Sequence, residues 1–194
     1  MAVLSKPGAP DWEQIYDSYF PLLFRYSFRF TADKDLVKDL LQDFFVELYL
    51  KQEKLAGIRN MRSYLMVAVR RRLVKVLSIR GNHTVPFAEE EHDFMLELSA
   101  ENKLIDAQLL ETKYKYLQKA ISALSRRQKE AIYLRFYENL GYEEIAEIMG
   151  LKEVKYARTL VYRAIAEIRT EFRKTGSPIC LLLYLPGLAP LNPR

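Results

Sequence analysis

Three groups of side chains in this chain have the types and spacing for chemistry, and in each the chemistry is binding. The first is a file of carboxylates four residues apart: Asp35, Asp39, Asp43 and Glu47. On a helix such residues share one side, and like charges at that spacing repel by a few tenths of a kcal/mol per pair. A stripe that opposes helix stability suits a partner surface, and it is equally a solvated acidic face. The second group lies between Arg59 and Arg80, with seven Lys or Arg and no acid. There Tyr64, Arg71, Lys75 and Ser78 fall on the side opposite Leu65, Ala68, Val69, Leu73 and Val76, with Arg70 further round. Basic and aromatic residues on one strip suit phosphates and unstacked bases. A basic solvated helix is the plainer reading. The third group is Lys152, Lys155, Tyr156, Thr159 and Arg163, opposite the stripe Val154, Ala157, Val161, Ala164, Ile165, Ile168 and Phe172.

The sequence lacks the motifs of catalysis. No G-x-x-x-x-G-K-[ST], G-x-G-x-x-G or G-x-S-x-G occurs. His83 and His92 fall in a linker-like stretch, and with Cys180 distant they make no zinc-site pattern. The adjacent Glu143 and Glu144 point to different sides of a helix, poor geometry for paired acid-base work. The expectation is a binding protein, not an enzyme, with no catalytic residue, metal or cofactor.

The elements that must position these groups are helical throughout. Trp12, Ile15, Tyr16, Tyr19, Leu22, Leu23 and Tyr26 recur at helical spacing, and Pro21 should kink or restart that helix. Thr31 and Asp33 are candidate N-caps for a helix over Lys34 to Lys51, with an apolar face of Leu36, Val37, Leu40, Leu41, Phe44 and Leu48. Gln52 to Asn60 reads as a loop and Met61 to Arg80 as a helix. From Glu89 to Asp106 there are seven acids against the single base Lys103, a composition shift that marks a linker. A helix from about Leu104 to Leu124 leads to Ser125, where S-x-x-Q forms a capping box for a helix to about Tyr137. Asn139-Leu140-Gly141 is a turn, Tyr142 to Met149 a short helix, and Gly150 a left-handed stop. A longer basic helix from about Glu153 to Phe172 follows. Short helix, turn and basic helix is the arrangement that enters a DNA major groove. An ordinary αα-hairpin with a solvated face is the alternative.

The fold class expected is therefore all-α. Two small helical domains are joined by an acidic linker, and the second is a helix-turn-helix domain of the winged-helix-like kind. The divisions are a leader over 1–10, a domain over 11–82, the linker over 83–107, the second domain over 108–175 and an irregular tail with an apolar run over 176–194. A net charge of +5 over 194 residues favours a polyanionic partner. One cysteine fits a reducing compartment, and the longest apolar run, Ile179 to Leu185, is far shorter than the ~20 residues of a membrane span. A cytoplasmic protein without a signal peptide is expected.

The stretch DWEQIYDSYFPLLFRYSFRFTADKDLVKDLLQDFFVELY resembles the first helices of bacterial RNA polymerase sigma factors. ALSRRQKEAIYLRFYENLGYEEIAEIMG resembles the start of their C-terminal DNA-binding domain. With only two domains and a short linker, the chain is similar to the extracytoplasmic-function type of the sigma-seventy family. The resemblance implies that Asp39, Gln42, Asp43 and Glu47 grip the clamp helices of the polymerase largest subunit. It implies that Arg62, Tyr64, Arg70, Arg71 and Lys75 serve the minus-ten element. The loop Gln52 to Asn60 with Met61 to Ser63 matches the segment that captures a flipped base. Lys152, Lys155, Tyr156, Thr159 and Arg163 fall in the reader of the minus-thirty-five element. Arg71 and Lys75 stand where many relatives have Asn and Asp, and Lys152 where the usual residue is an N-cap Ser. The partners implied are core RNA polymerase, promoter DNA both duplex and melted, and an anti-sigma factor. A helix-turn-helix regulator acting without polymerase is the alternative, and a helical nucleic-acid enzyme a more distant one. The acidic file distinguishes the first from the second.

Overall fold

The computed structural model describes residues 12–51, 55, 57–80, 94–96 and 117–174, with the backbone alone for Arg80 and Phe172. All secondary structure among them is helical, and the chain divides into two compact units with the main break between Asp93 and Phe94. The leader, most of the acidic linker, the helix start near Leu104 and the apolar tail lie outside the described residues.

The first unit packs α1 (Trp12–Ser27), α2 (Lys34–Leu50) and α3 (Met61–Arg80) against one another. Pro21 neither ends nor restarts α1, which runs through it as one element. Pro21 has no N–H to give to the Asp17 carbonyl, but Pro21 and Asp17 are both exposed, where water can reach that carbonyl. Asp33 caps α2 by accepting from Leu36 N at 2.9 Å, while Thr31 Oγ1 accepts from Asp33 N at 3.2 Å. The two candidate caps therefore act in series. Asn60 does the same for α3, its Oδ1 accepting from Ser63 N at 3.1 Å.

The core of this unit is Leu23, Tyr26, Val37, Leu41, Phe44, Leu65, Met66, Val69 and Leu73, each at most 2% exposed. Burying one such side chain contributes about 1.5–3 kcal/mol. Phe45 is buried as well, although it is off the predicted stripe of α2. Trp12, Tyr16 and Phe20 of α1 converge on its ring, with Tyr16 edge-on at 4.9 Å. Around α3 the buried arc runs through Leu65, Val69, Leu73, Met66, Leu77, Ser63 and Val67, which leaves a single exposed strip.

In the second unit, Ser125 caps α4 (Arg126–Ile132) with the predicted capping box. Gln128 N donates to Ser125 Oγ, and Ser125 N donates to Gln128 Oε1 at 2.8 Å. The helix does not continue as α to Tyr137. It widens into a π turn, Tyr133–Tyr137. Ala131, Ile132, Tyr133 and Leu134 close a run of seven consecutive buried residues that begins at Gln128, and the π turn starts within that run. Asn139 takes a positive φ of 52° in the connection, and Arg135 Nη1 donates to Leu140 O at 2.8 Å.

The short helix α5 (Tyr142–Ile148) closes on Gly150, whose φ of 65° is the left-handed stop the sequence predicted. Leu151 N donates to Ala146 O at 2.8 Å, the six-to-one bond of that termination. The long helix α6 (Val154–Lys174) packs along α4 and buries Ala157, Val161, Ala164, Ile165 and Ile168. Gln128 Nε2 donates to Glu167 Oε1 at 2.6 Å and fixes the pair.

Candidate nucleic-acid interface

The long helix α6 presents the third sequence-predicted group from Lys155 to Arg163, and Lys152 lies in the bend just before it. Lys152, Lys155, Tyr156, Thr159 and Arg163 are all exposed, opposite the buried stripe. Their local partners differ. Lys155 Nζ pairs with Glu153 Oε2 at 2.8 Å and lies 5.3 Å from the Tyr156 ring centre. Thr159 Oγ1 donates to Lys155 O at 2.8 Å. Arg163 borders an open groove over Ala120, Ala123 and Ala166. The sequence reading missed Arg158. Its guanidinium lies 5.6 Å from the ring centre of Tyr142 at the start of α5, and Arg135 lies 5.0 Å from the same ring. Tyr142 thus gathers two cations beside the turn. The i, i+3 spacing of Arg158 from Lys155 was a signal that could have found it.

On α3 the burial pattern leaves Tyr64, Arg71, Lys75 and Ile79 as one exposed strip, with Arg70 half-buried further round and Arg62 half-buried in the first turn on the side of Leu65 and Val69. Arg72 departs from this strip. Its guanidinium lies 5.1 Å from the ring centre of Phe44 and pairs with Glu47 on α2. Between them is a cleft of about 180 Å³ lined by Phe44, Glu47, Leu48, Lys51, Leu55, Tyr64, Ala68 and Arg72. Its volume is on the scale of one nucleobase, and the exposed Tyr64 stands at its rim.

The acidic file divides. Asp35, Asp39, Gln42 and Asp43 are exposed on α2. Glu47 is half-exposed and held by Lys51 Nζ at 2.5 Å and by Arg72. Each step of four residues overshoots a helical turn by about 40°, so the file drifts toward α3 and its last member meets a cation there. The Lys51 hydrogen bond, then the Arg72 bond and charge, hold the Glu47 carboxyl down at about 2 from its usual 4.5. Beside the file the sequence reading missed an apolar patch: Val46 is 61% exposed and Leu50 77% exposed, continuing the line from Gln42 at four-residue steps. Two aliphatic side chains thus stand in water beside the carboxylates of the file.

The depressed value of Glu47 gives a pH prediction. A lowered folded-state pKa contributes stability that is present above about 4.5 and is lost as pH falls toward 2. Urea midpoints of the parent should therefore exceed those of Glu47→Gln at neutral pH and converge with them as pH approaches 2. A separation as wide at pH 2.5 as at pH 6 would show that the pair is not engaged in solution.

The profile of Sigma-70 region 2 matches residues 15–81, and that of Sigma-70 region 4 matches residues 114–168. Between them they cover most of the chain, in the order and positions of the two units. The chain belongs to the sigma-70 family of RNA polymerase sigma factors. This sigma factor is 26% identical to the RNA polymerase sigma factor YlaC of Bacillus subtilis over 173 residues, 84% of this chain and 92% of YlaC. It is 26% identical to SigV of the same organism, covering 78% of this chain and 84% of SigV. Its fold is that of the sigma factor RpoE of Bartonella quintana, whose structure is a complex with the anti-sigma factor NepR. That likeness has a TM-score of 0.60 at 21% identity and covers 84% of this chain and 97% of the other. The sigma factor is of the extracytoplasmic-function type. It binds core RNA polymerase and promoter DNA and directs promoter-specific initiation. Among the described residues no helix is long and apolar enough to cross a membrane, and no group of three or more His, Cys, Asp or Glu is placed to hold a metal.

Proposed function

We propose a division of labour among these faces. The domain over 11–82 binds core polymerase and the minus-ten element, the domain over 108–175 reads the minus-thirty-five element, and the stretch over 83–107 joins them. Asp39, Gln42 and Asp43 bind the clamp helices of the largest subunit, with Val46 and Leu50 as the apolar centre of the contact. Glu47 lies at the edge of that contact and ties α2 to α3. Tyr64, Arg71 and Lys75, flanked by Arg62 and Arg70, follow the strand opened at the minus-ten element. A flipped base enters the cleft beneath Tyr64. Lys152, Lys155, Tyr156, Thr159 and Arg163 approach the upstream element in the major groove, with Arg158 on phosphate. The observation that carries this reading is the single exposed strip on α3, where Tyr64, Arg71 and Lys75 face outward together with Ile79 beyond them, and the first three are suited to an unpaired strand.

The protein acts as an initiation factor without chemistry of its own, in the cytoplasm where core polymerase works. The Bartonella RpoE–NepR complex supports an anti-sigma factor as a further partner. The upstream assignment is tested by footprinting. An Arg bidentate to guanine is worth about 1–3 kcal/mol of discrimination. Arg163→Ala should reduce initiation from promoters that depend on the upstream element. Unchanged upstream protection across alanine variants at Lys155, Thr159 and Arg163 would remove the assignment.

A further inference from the structure

Glu47 lines the cleft between α2 and α3 and carries a cation on each carboxylate oxygen. Lys51 Nζ donates to Oε1 at 2.5 Å, and the Arg72 guanidinium donates to Oε2. A carboxylate has about four acceptor sites, so these two bonds leave the others open. The Lys51 bond, then the Arg72 bond and charge, hold the Glu47 pKa at about 2, so at neutral pH the group accepts and never donates. Glu47 is the one acid among the lining residues, and the walls beside it are the apolar Phe44, Leu48, Leu55 and Ala68. A polar edge enclosed by apolar walls makes an unpaired donor or acceptor costly.

In bonding order, Lys51 Nζ, Oε1 and Oε2 present a donor, an acceptor and an acceptor. Cytosine shows that same order to guanine in a base pair. Guanine answers it with an acceptor, O6, followed by two adjacent donors, N1–H and N2–H. Adenine and cytosine set the lone pair of a ring nitrogen beside their amino group. Thymine flanks its one N–H with two carbonyls. Each of these three bases therefore turns a lone pair toward a carboxylate oxygen, and a lone pair there finds no donor.

We infer that the cleft selects guanine, with Glu47 and Lys51 reading its Watson–Crick edge, so that Glu47 is a specificity-determining residue for the base flipped out at the minus-ten element. This rests on the reading that a flipped base enters the cleft, and names which base. Enzymes that extrude a base recognise it in the same way, by hydrogen bonds to that edge and by stacking. N1–H and N2–H donate to the two oxygens of Glu47, and Lys51 donates to O6. Arg72 is a positioning residue. Its guanidinium lies 5.1 Å from the centre of the Phe44 ring and holds the far oxygen of the carboxylate.

The test uses the full chain assembled with core polymerase, and single strands carrying the minus-ten region of a promoter it uses. Each position in turn is set to guanine, adenine, cytosine, thymine or an abasic site, and affinities are measured by competition. A bidentate contact to a base discriminates by roughly fivefold to a hundredfold. At one position guanine should bind at least about fivefold tighter than the other three bases. Inosine at that position, which lacks the N2 amino group, should lose most of the advantage. Glu47→Gln exchanges one acceptor for a donor, the amide pattern that pairs with adenine. It should move the preference at that position from guanine to adenine and leave the preferences elsewhere in the strand unchanged. A merely structural role for Glu47 moves no preference. Equal weakening of all four bases by Glu47→Gln, or base-dependent binding without a guanine preference, overturns the inference and leaves base capture standing. Displacement of the strand by guanosine monophosphate at equal concentration overturns the assignment to the strand. Equal binding of every base and of the abasic site at all positions overturns base capture, and the guanine preference with it.

Discussion

Asp43→Arg is expected to weaken binding to core polymerase by roughly thirty- to a hundredfold while leaving the fold unchanged. The effect follows from the position of the side chain on α2. Asp43 is exposed, one turn from the exposed Asp39 and beside the exposed Gln42 and Val46. A charge reversal in a complementary interface places like charges together and costs about 2–2.8 kcal/mol, which is that factor in affinity. The same change should not harm the free protein. Exposed substitutions without structural partners stay within about 0.5 kcal/mol. Removing Asp43 also relieves its i, i+4 repulsion with Asp39, worth a few tenths of a kcal/mol in the stabilising direction. A titration of core polymerase with labelled protein, run beside a thermal melt, separates the two effects. A normal melt with full affinity for core would contradict the assignment of this face. Leu50→Ser should act in the same direction, because its side chain is 77% exposed and has no core role to lose.

The second large effect concerns promoter opening. Arg71→Ala combined with Lys75→Ala should leave core binding intact and reduce opening of duplex promoters by at least about tenfold, on the basis of two lost phosphate contacts. Unstacking a base costs a few kcal/mol. Stacking on an aromatic ring returns about 1–3 kcal/mol per base, and cations along the strand add to that. The structure puts the required groups on one strip: Tyr64 at the start of α3, then Arg71 and Lys75 one turn apart, all exposed. Arg72 is excluded from this count because Phe44 and Glu47 engage it. Permanganate reactivity of unpaired thymines measures opening directly. A template already mismatched over the minus-ten region should restore part of the lost initiation, since the cost of opening has been removed. The double variant should also flatten the salt dependence of binding to melted DNA by about one unit of log–log slope per contact. Duplex opening equal to the parent would mean that the strip is only a solvated face.

Much of the fold was legible because local signals agreed with tertiary packing. The capping box at Ser125 and Gln128, the stop at Gly150 and the cap at Asp33 each formed as the residue types require. On α3 the spacing of Leu65, Val69 and Leu73 alone located the exposed strip. The features that were not legible depend on what lies across from a residue. Phe45 is off the apolar stripe of α2 and is buried because Trp12, Tyr16 and Phe20 come to meet it. Glu47 looked like the fourth member of a repulsive file until α3 supplied Arg72. The π turn at Tyr133 falls within a run of seven buried residues, Gln128 to Leu134, a pattern that helical periodicity does not express. Phe94 and Leu96, both buried, were hidden by their acidic neighbours, which made the stretch read as linker throughout. Of the kink or restart that Pro21 suggested, the restart does not occur, since α1 runs through the exposed proline as one helix.

The central claim is that the two domains act together on core polymerase. The most direct measurement is transcription of a pool of genomic fragments by core polymerase, with and without the protein, followed by mapping of transcript 5′ ends. The account predicts a set of discrete new 5′ ends that share sequence elements near minus ten and minus thirty-five, and that disappear with Asp43→Arg. The same 5′ ends as core polymerase alone, from a protein that nonetheless binds the DNA, would contradict it.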